Sequence, residues 1–298
     1  MRKQLTGSLY LLLATFFWGS TFIAQRVGMD HIGPFTFQAV RCGLAVLGLL
    51  PVIALADKGK NDGKTYFARW ADKQLWLAGL LCGIPLFLAC NLQQMGLTET
   101  DAGKSGFLTA MYIIIVPIIG IFQKKKPNFL LLISVLIAAV GLYFLCGAGV
   151  TSITRSDLLL LGCALMFAVQ IVFVDKFAPQ ADTLRLNLIQ ALVCSVLSSI
   201  VMFLTEAPTL FALKECWFPL CYAGFLSMGA AYSLQIAGQK RLSPTAASVL
   251  MSLESVFAVL FGWLLLHEVL TPWEGAGCVL MFIAVILSSV PTKKTGSQ

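Results

Sequence analysis

Charge is scarce in this chain: Asp, Glu, Lys and Arg make up 12% of its 298 residues, against 58% hydrophobic residues. Soluble domains carry about 25% charged residues, so a water-soluble fold could not hide this much apolar surface. Histidine is nearly absent, at two residues, and the nine cysteines (42, 82, 90, 146, 163, 194, 216, 221 and 278) include no Cys-x-x-Cys pair. Zinc sites and disulfide scaffolds are thereby excluded, and the cysteines read as small apolar residues in helix packing. No His-x-x-x-His pair, close carboxylate pair or Ser-His-Asp set falls in the apolar stretches, so no catalytic residues, cofactor or metal are expected. Gly103-Lys104-Ser105 imitates the tail of a phosphate-binding loop, but that motif needs glycine where Thr98 stands and a strand before it, which excludes ATP binding.

What the chain has in abundance is apolar runs of about twenty residues, the length that crosses a ~30 Å hydrocarbon core. The spans expected are 5–25, 35–56, 75–96, 102–122, 128–147, 157–175, 184–204, 217–238, 244–266 and 272–290, ten in all. The first follows Met1-Arg2-Lys3 like a secretory signal, yet it runs on through Trp18 to about Ala24, and it is read as a retained helix. Ser243-Pro244 and Thr271-Pro272-Trp273-Glu274 place a cap before a helical proline, the second also forming a capping box. They are the firmest helix starts.

The basic residues follow the same plan. With the N-terminus in the cytoplasm, sixteen lysines and arginines fall on that side, including Lys58, Arg69, Lys124, Lys176, Arg185, Lys240 and Arg241. Only four, Arg26, Lys104, Arg155 and Lys214, fall on the other, while Arg41 lies inside a span. This positive-inside asymmetry predicts cytoplasmic termini at both ends and accounts for the net charge of +7 without nucleic acid.

A duplication also shows. Shifted by 149 residues, Leu12 meets Leu161, Gln38 meets Asn187 and Arg41 meets Gln190; shifted by 144, Asn91 meets Gln235, Ala102 meets Ala246 and Ala110 meets Glu254. Residues 1–150 and 151–298 are thus expected to be similar five-helix units. A unit with an odd number of spans reverses direction when copied in tandem, so the halves must be inverted, an architecture that transporters use for alternating access.

Ionisable residues inside spans cost about 2.5–3.5 kcal/mol on insertion scales, so they usually face a cavity or a partner. Glu254 lies about ten residues into the ninth span. It could bind a substrate ammonium or a coupling proton, or simply accept hydrogen bonds that join the halves. Arg41 is shallower and could meet a substrate carboxylate or Glu254, or snorkel to the surface. With Tyr112, Asn91, Gln94, Trp18, Gln235 and Lys104 they make up the expected substrate path. Further polar residues, among them Thr21, Gln25, Gln38, Gln170, Asn187, Gln190 and Tyr232, suit either interhelical hydrogen bonds or a wet interior.

Three strings carry a resemblance: Phe17-Trp18-Gly19-Ser20-Thr21-Phe22; Asp101-Ala102-Gly103-Lys104-Ser105-Gly106-Phe107-Leu108 with Pro117; and Ser252-Leu253-Glu254-Ser255-Val256-Phe257 with Gly262-Trp263 and His267-Glu268. With the ten spans they resemble the EamA family of the drug/metabolite transporter superfamily. The resemblance implies a monomer-sized bundle around a central cavity, often exporting amino acids or related metabolites. Two positions depart from it: Ser255 stands where the family often has proline, and Gln123-Lys124 where it often has an acid. The expectation is therefore an all-α protein of the bacterial inner membrane that moves a small molecule out of the cell by alternating access, with protons as the coupling ion. An importer or a nucleotide-sugar-type exchanger is the alternative. An intramembrane enzyme lacks the reactive residues it would need.

Overall fold

The computed structural model describes residues 2–59, 65–100, 102–124, 129–146, 154–266, 269 and 271–289. Among them there is no strand. The chain runs through α1 (Arg2–Met29), α2 (Pro34–Lys58), a short α3 (Tyr66–Trp70), α4 (Lys73–Leu97), α5 (Ala102–Ala110), α6 (Tyr112–Phe122) and α7 (Phe129–Cys146). It continues through α8 (Arg155–Phe177), α9 (Thr183–Thr205), a short α10 (Leu210–Glu215), α11 (Trp217–Cys221), a π-helical segment (Tyr222–Ala231), α12 (Tyr232–Gln239), α13 (Pro244–Met251), α14 (Leu253–Leu266) and α15 (Pro272–Ser289).

Among the described residues, eight stretches are long and apolar enough to cross a membrane, which makes this a multi-pass membrane protein. Where the sequence led us to expect ten, the remaining two, Phe129–Leu145 and Pro272–Ser288, are shorter apolar helices. At 1.5 Å per residue each covers roughly 25 Å. They pack on one another through glycines: a Cβ on Gly277 would stand 2.7 Å from the Gly141 carbonyl, a backbone approach that small residues permit.

The expected caps form. The Ser243 hydroxyl accepts from the Ala246 N–H at 3.3 Å, and Thr271 and Glu274 close their box with the Thr271 N–H donating to Glu274 at 2.6 Å. Thr154 and Asp157 build a second box at the start of α8. Asp101, His267 and Glu268, from the strings quoted above, lie outside the described residues.

Two expected spans are interrupted at mid-length. The span from 102 breaks at Met111 and the span from 244 breaks at Ser252. Each break carries the same tightened bond three residues back, Ile114 N–H to the Met111 carbonyl at 3.0 Å and Ser255 N–H to the Ser252 carbonyl at 3.2 Å. Local chemistry explains both. Pro117 removes a donor from the turn that follows Met111. The Ser252 hydroxyl turns back onto the Val249 carbonyl at 2.7 Å and competes with the helix for it.

Candidate functional site

The breaks fix where the chemistry sits. Tyr112 is the first residue of α6 and Glu254 the second of α14, so each stands just beyond its break. The Tyr112 hydroxyl donates to Glu254 Oε1 at 3.0 Å. Glu254 is 6% exposed and stands in the first turn of α14.

Both residues line a cavity of about 30 Å³, room for about two waters. Arg41 of α2 lines it too, 3% exposed. Its Nη1 donates to Gln25 Oε1 at 3.1 Å, its guanidinium lies 5.8 Å from the Phe37 ring centre, and its Nε has no partner among the described residues. Arg41 and Glu254 form no ion pair with each other. One cavity thus holds a buried guanidinium and a buried carboxyl group, whose hydrogen-bond partners among the described residues are neutral. Isolated buried charges are costly, so the arrangement suits a ligand carrying the complementary charges.

Aromatic rings form much of the wall. Trp18 meets Tyr232 edge-on at 5.0 Å and Tyr112 meets Phe167 at 6.4 Å. The Trp18 indole N–H and Gln235 Oε1 are buried without partners among the described residues, which leaves a donor and an acceptor at the cavity.

Behind Gln235 runs a chain of amides. Gln235 donates to Gln170 at 3.0 Å, Gln170 to Gln190 at 3.3 Å, and Gln190 to Asn187 at 2.9 Å. Asn187 in turn donates to the Met228 and Gly229 carbonyls at 3.0 and 2.9 Å, within the π-helical segment. A π-helix widens the turn, is rare and is frequent at functional sites; Ser227, within it, lines the cavity.

Gly19 sets how closely α1 approaches α14. A Cβ there would stand 2.3 Å from Phe257 Cβ and 2.9 Å from both the Ala258 nitrogen and the Glu254 carbonyl oxygen. Ser255 adds a tie, its hydroxyl donating to the Gly106 carbonyl of α5 at 2.9 Å, a bond that proline could not make.

Fourteen residues line the cavity, seven before residue 150 and seven after it. The EamA-like transporter family model matches this chain twice, over residues 5–147 and 154–290. The chain belongs to the EamA-like transporter family. It is 32% identical over 296 residues to an uncharacterized transporter of Archaeoglobus fulgidus, covering 97% of this chain and 87% of that one. To the uncharacterized transporter YoaV of Bacillus subtilis it is 24% identical over 285 residues, covering 94% and 95%. A solved crystal structure shares the fold at a TM-score of 0.75 and 17% identity, over 94% of this chain and 95% of that one.

Within this EamA-like transporter, five of the eight residues expected on the path line the cavity: Glu254, Arg41, Tyr112, Trp18 and Gln235. The other three lie elsewhere. Asn91 donates to the Ser198 hydroxyl at 2.9 Å and to the Phe87 carbonyl at 2.8 Å. Gln94 is fully buried with both amide atoms unpartnered among the described residues. Lys104 pairs with Asp157 at 2.7 Å, near the end of the bundle. The cavity uses Gln93 in place of Gln94, a difference of about 100° around the helix. Phe167, Ile171 and Met251, also on the wall, look like ordinary apolar residues in sequence.

Proposed function

We propose that this EamA-like transporter is a secondary transporter that exports small metabolites such as amino acids or related compounds, by alternating access of the cavity between α1, α2, α6 and α14. The ten apolar helices act as two inverted five-helix repeats, residues 1–150 and 151–298, in a bacterial inner membrane with both termini cytoplasmic. The equal contributions of the two family-matched segments to one cavity, and the matching breaks at Met111 and Ser252, support this reading.

The observation that carries it is the pair of separated opposite charges. A zwitterion would place its carboxylate on Arg41, where a planar fork can grip it, and its ammonium on Glu254. Trp18 and Gln235 would hold its polar groups. Glu254 would also carry the coupling proton when the substrate has left. The present cavity is too small for a metabolite, as expected of a closed conformation between the two open ones.

Cells with and without the chain, exposed to a panel of toxic amino acid analogues, test the reading. Lower internal accumulation in expressing cells is expected; higher accumulation would make it an importer. Purified protein in liposomes that moved no zwitterion from a broad panel would refute the substrate class.

A further inference from the structure

Two cavities lie one behind the other along α1. Thr21, Phe22 and Gln25 face the central one. Arg26, the next residue, lines a second of about 500 Å³ beyond it, with Asp30, Leu97, Glu99 and Lys104. Gln25 lines the first and its chain neighbour Arg26 the second, so the two walls meet along α1. Phe22, Leu97 and Ala258, each no more than 5% exposed, pack as a small apolar cluster of their own. Phe22 belongs to the wall of the central cavity and Leu97 to the wall of the outer one.

The opposite barrier is thicker. From Phe22 to Arg26 is about one helical turn, roughly 6 Å, whereas from Trp18 back to Tyr10 is about two turns, roughly 12 Å. That depth is filled by Leu11, Ala168, Ala247 and Leu250. Beyond them Arg241 lies over the Tyr10 ring at 5.2 Å, and the Lys240 ammonium donates to the Ala181 carbonyl at 2.7 Å.

We propose that Phe22, Leu97 and Ala258 form the gate through which the central cavity opens onto the outer vestibule, and that it is the thinner and first-opening of the two barriers. The plug is apolar on all three sides, so it excludes water and ions without hydrogen bonds that would have to break when it parts. Its three residues come from α1, α4 and α14, and small displacements of these helices separate them. The role of the gate rests on the transport reading above, and the orientation given there makes the vestibule extracellular.

Ser227→Cys on the cavity wall provides the test, with a membrane-impermeant charged methanethiosulfonate as probe and the chain with its native cysteines as background. In right-side-out vesicles, Leu97→Ala is expected to raise the labelling rate of that cysteine about tenfold by enlarging a minor open population. Leu97→Val is expected to raise it less, and it carries the test if the alanine variant does not fold. Unchanged rates in monodisperse protein from both vesicle orientations would overturn the gate, as would an equal rise from both sides, which is general loosening. A rise confined to inside-out vesicles would keep the gate and overturn the orientation.

Discussion

Arg185, at the start of α9, forks onto the carboxylate of Asp57 at the end of α2. Its Nη1 lies 3.2 Å from Oδ1, Nη2 bonds Oδ2, and the guanidinium is covered by the Tyr66 and Trp70 rings at 5.7 and 5.1 Å. At the other end of the same helix pair the relation is reversed. Glu206, just past α9, accepts the N–H groups of Phe35 and Thr36 at 2.9 and 2.8 Å and so caps α2. Each helix thus closes with an acid that holds the beginning of the other. Between these ends the Ser195 hydroxyl donates to the Ala39 carbonyl at 2.9 Å. The α2–α9 pair is fastened along its whole length, which suits an axis about which other helices move.

Removing one partner of so buried a pair should be costly. Arg185 is 1% exposed, and Arg185→Ala takes the fork away from Asp57, whose contact with Arg69, at 3.9 Å, is longer. The expected loss is about 3 kcal/mol, seen as a clear fall in the thermal midpoint of detergent-solubilised protein. Arg185→Lys should recover less than half of it, because an ammonium can neither fork nor stack. A midpoint for Arg185→Ala equal to that of the native chain would show that the contact stabilises nothing.

Parts of this arrangement are legible in sequence and parts are not. Glu254 stands out because a short carboxylate deep in an apolar run has no route to water. Ser243-Pro244 and Thr271-Pro272 declare helix starts because caps are local chemistry. The breaks at Met111 and Ser252 stay hidden, since hydropathy registers apolar length and not whether each carbonyl keeps its partner. Ser227 escapes for a related reason: the π-helical segment abolishes the 3.6-residue period by which a face is read. Asp57 and Arg185, 128 residues apart, look like ordinary loop charges until the fold brings them together.

Gly19 offers a sharper test of close packing. Its missing Cβ would press on the backbone of α14, which cannot rotate away as a flexible side chain would. Gly19→Ala should cost about 1–3 kcal/mol and should depress transport further by shifting Glu254. Gly120→Ala, where nothing lies within 4 Å of the added carbon, serves as the control and should be neutral. Equal behaviour of the two variants in expression and transport would mean that α1 and α14 are not held as close as they stand here.

Glu254, Tyr112 and Arg41 should separate by size of effect. Glu254→Gln keeps a partner for the Tyr112 hydroxyl but removes the charge, and a hydrogen bond to a charged group contributes about 1.5–3 kcal/mol. Zwitterion transport should therefore fall by roughly 10- to 100-fold, and its pH dependence should disappear if the same carboxylate carries the proton. Tyr112→Phe leaves the carboxylate in place and should fall at the low end of that range, about tenfold, from one lost hydrogen bond to a charged group of about 1.5 kcal/mol. Arg41→Lys should weaken apparent affinity for compounds with a carboxylate more than for their amides. Measured in proteoliposomes, an unaltered pH profile for Glu254→Gln would remove this residue from proton coupling.

The amide chain behind the cavity ends on the π-helical segment, and this end can be tested apart from transport. Asn187 reaches the Met228 and Gly229 carbonyls and also the Ser233 hydroxyl, at 2.9 Å. Asn187→Ala leaves these carbonyls without that donor in a buried setting, where each unmet group costs about 1–3 kcal/mol. Relaxation to an ordinary α-helix would recover part of the cost, at the price of turning Ser227 away from the cavity. Amide hydrogen exchange across residues 222–231 should accelerate in Asn187→Ala, while exchange in α7 and α15, which share no hydrogen bond with this chain of amides, stays as it was. Unchanged exchange in 222–231 would mean that the π-helical turn is held by its own packing against α2, where a Cβ on Gly224 would stand 2.9 Å from the Arg41 carbonyl oxygen.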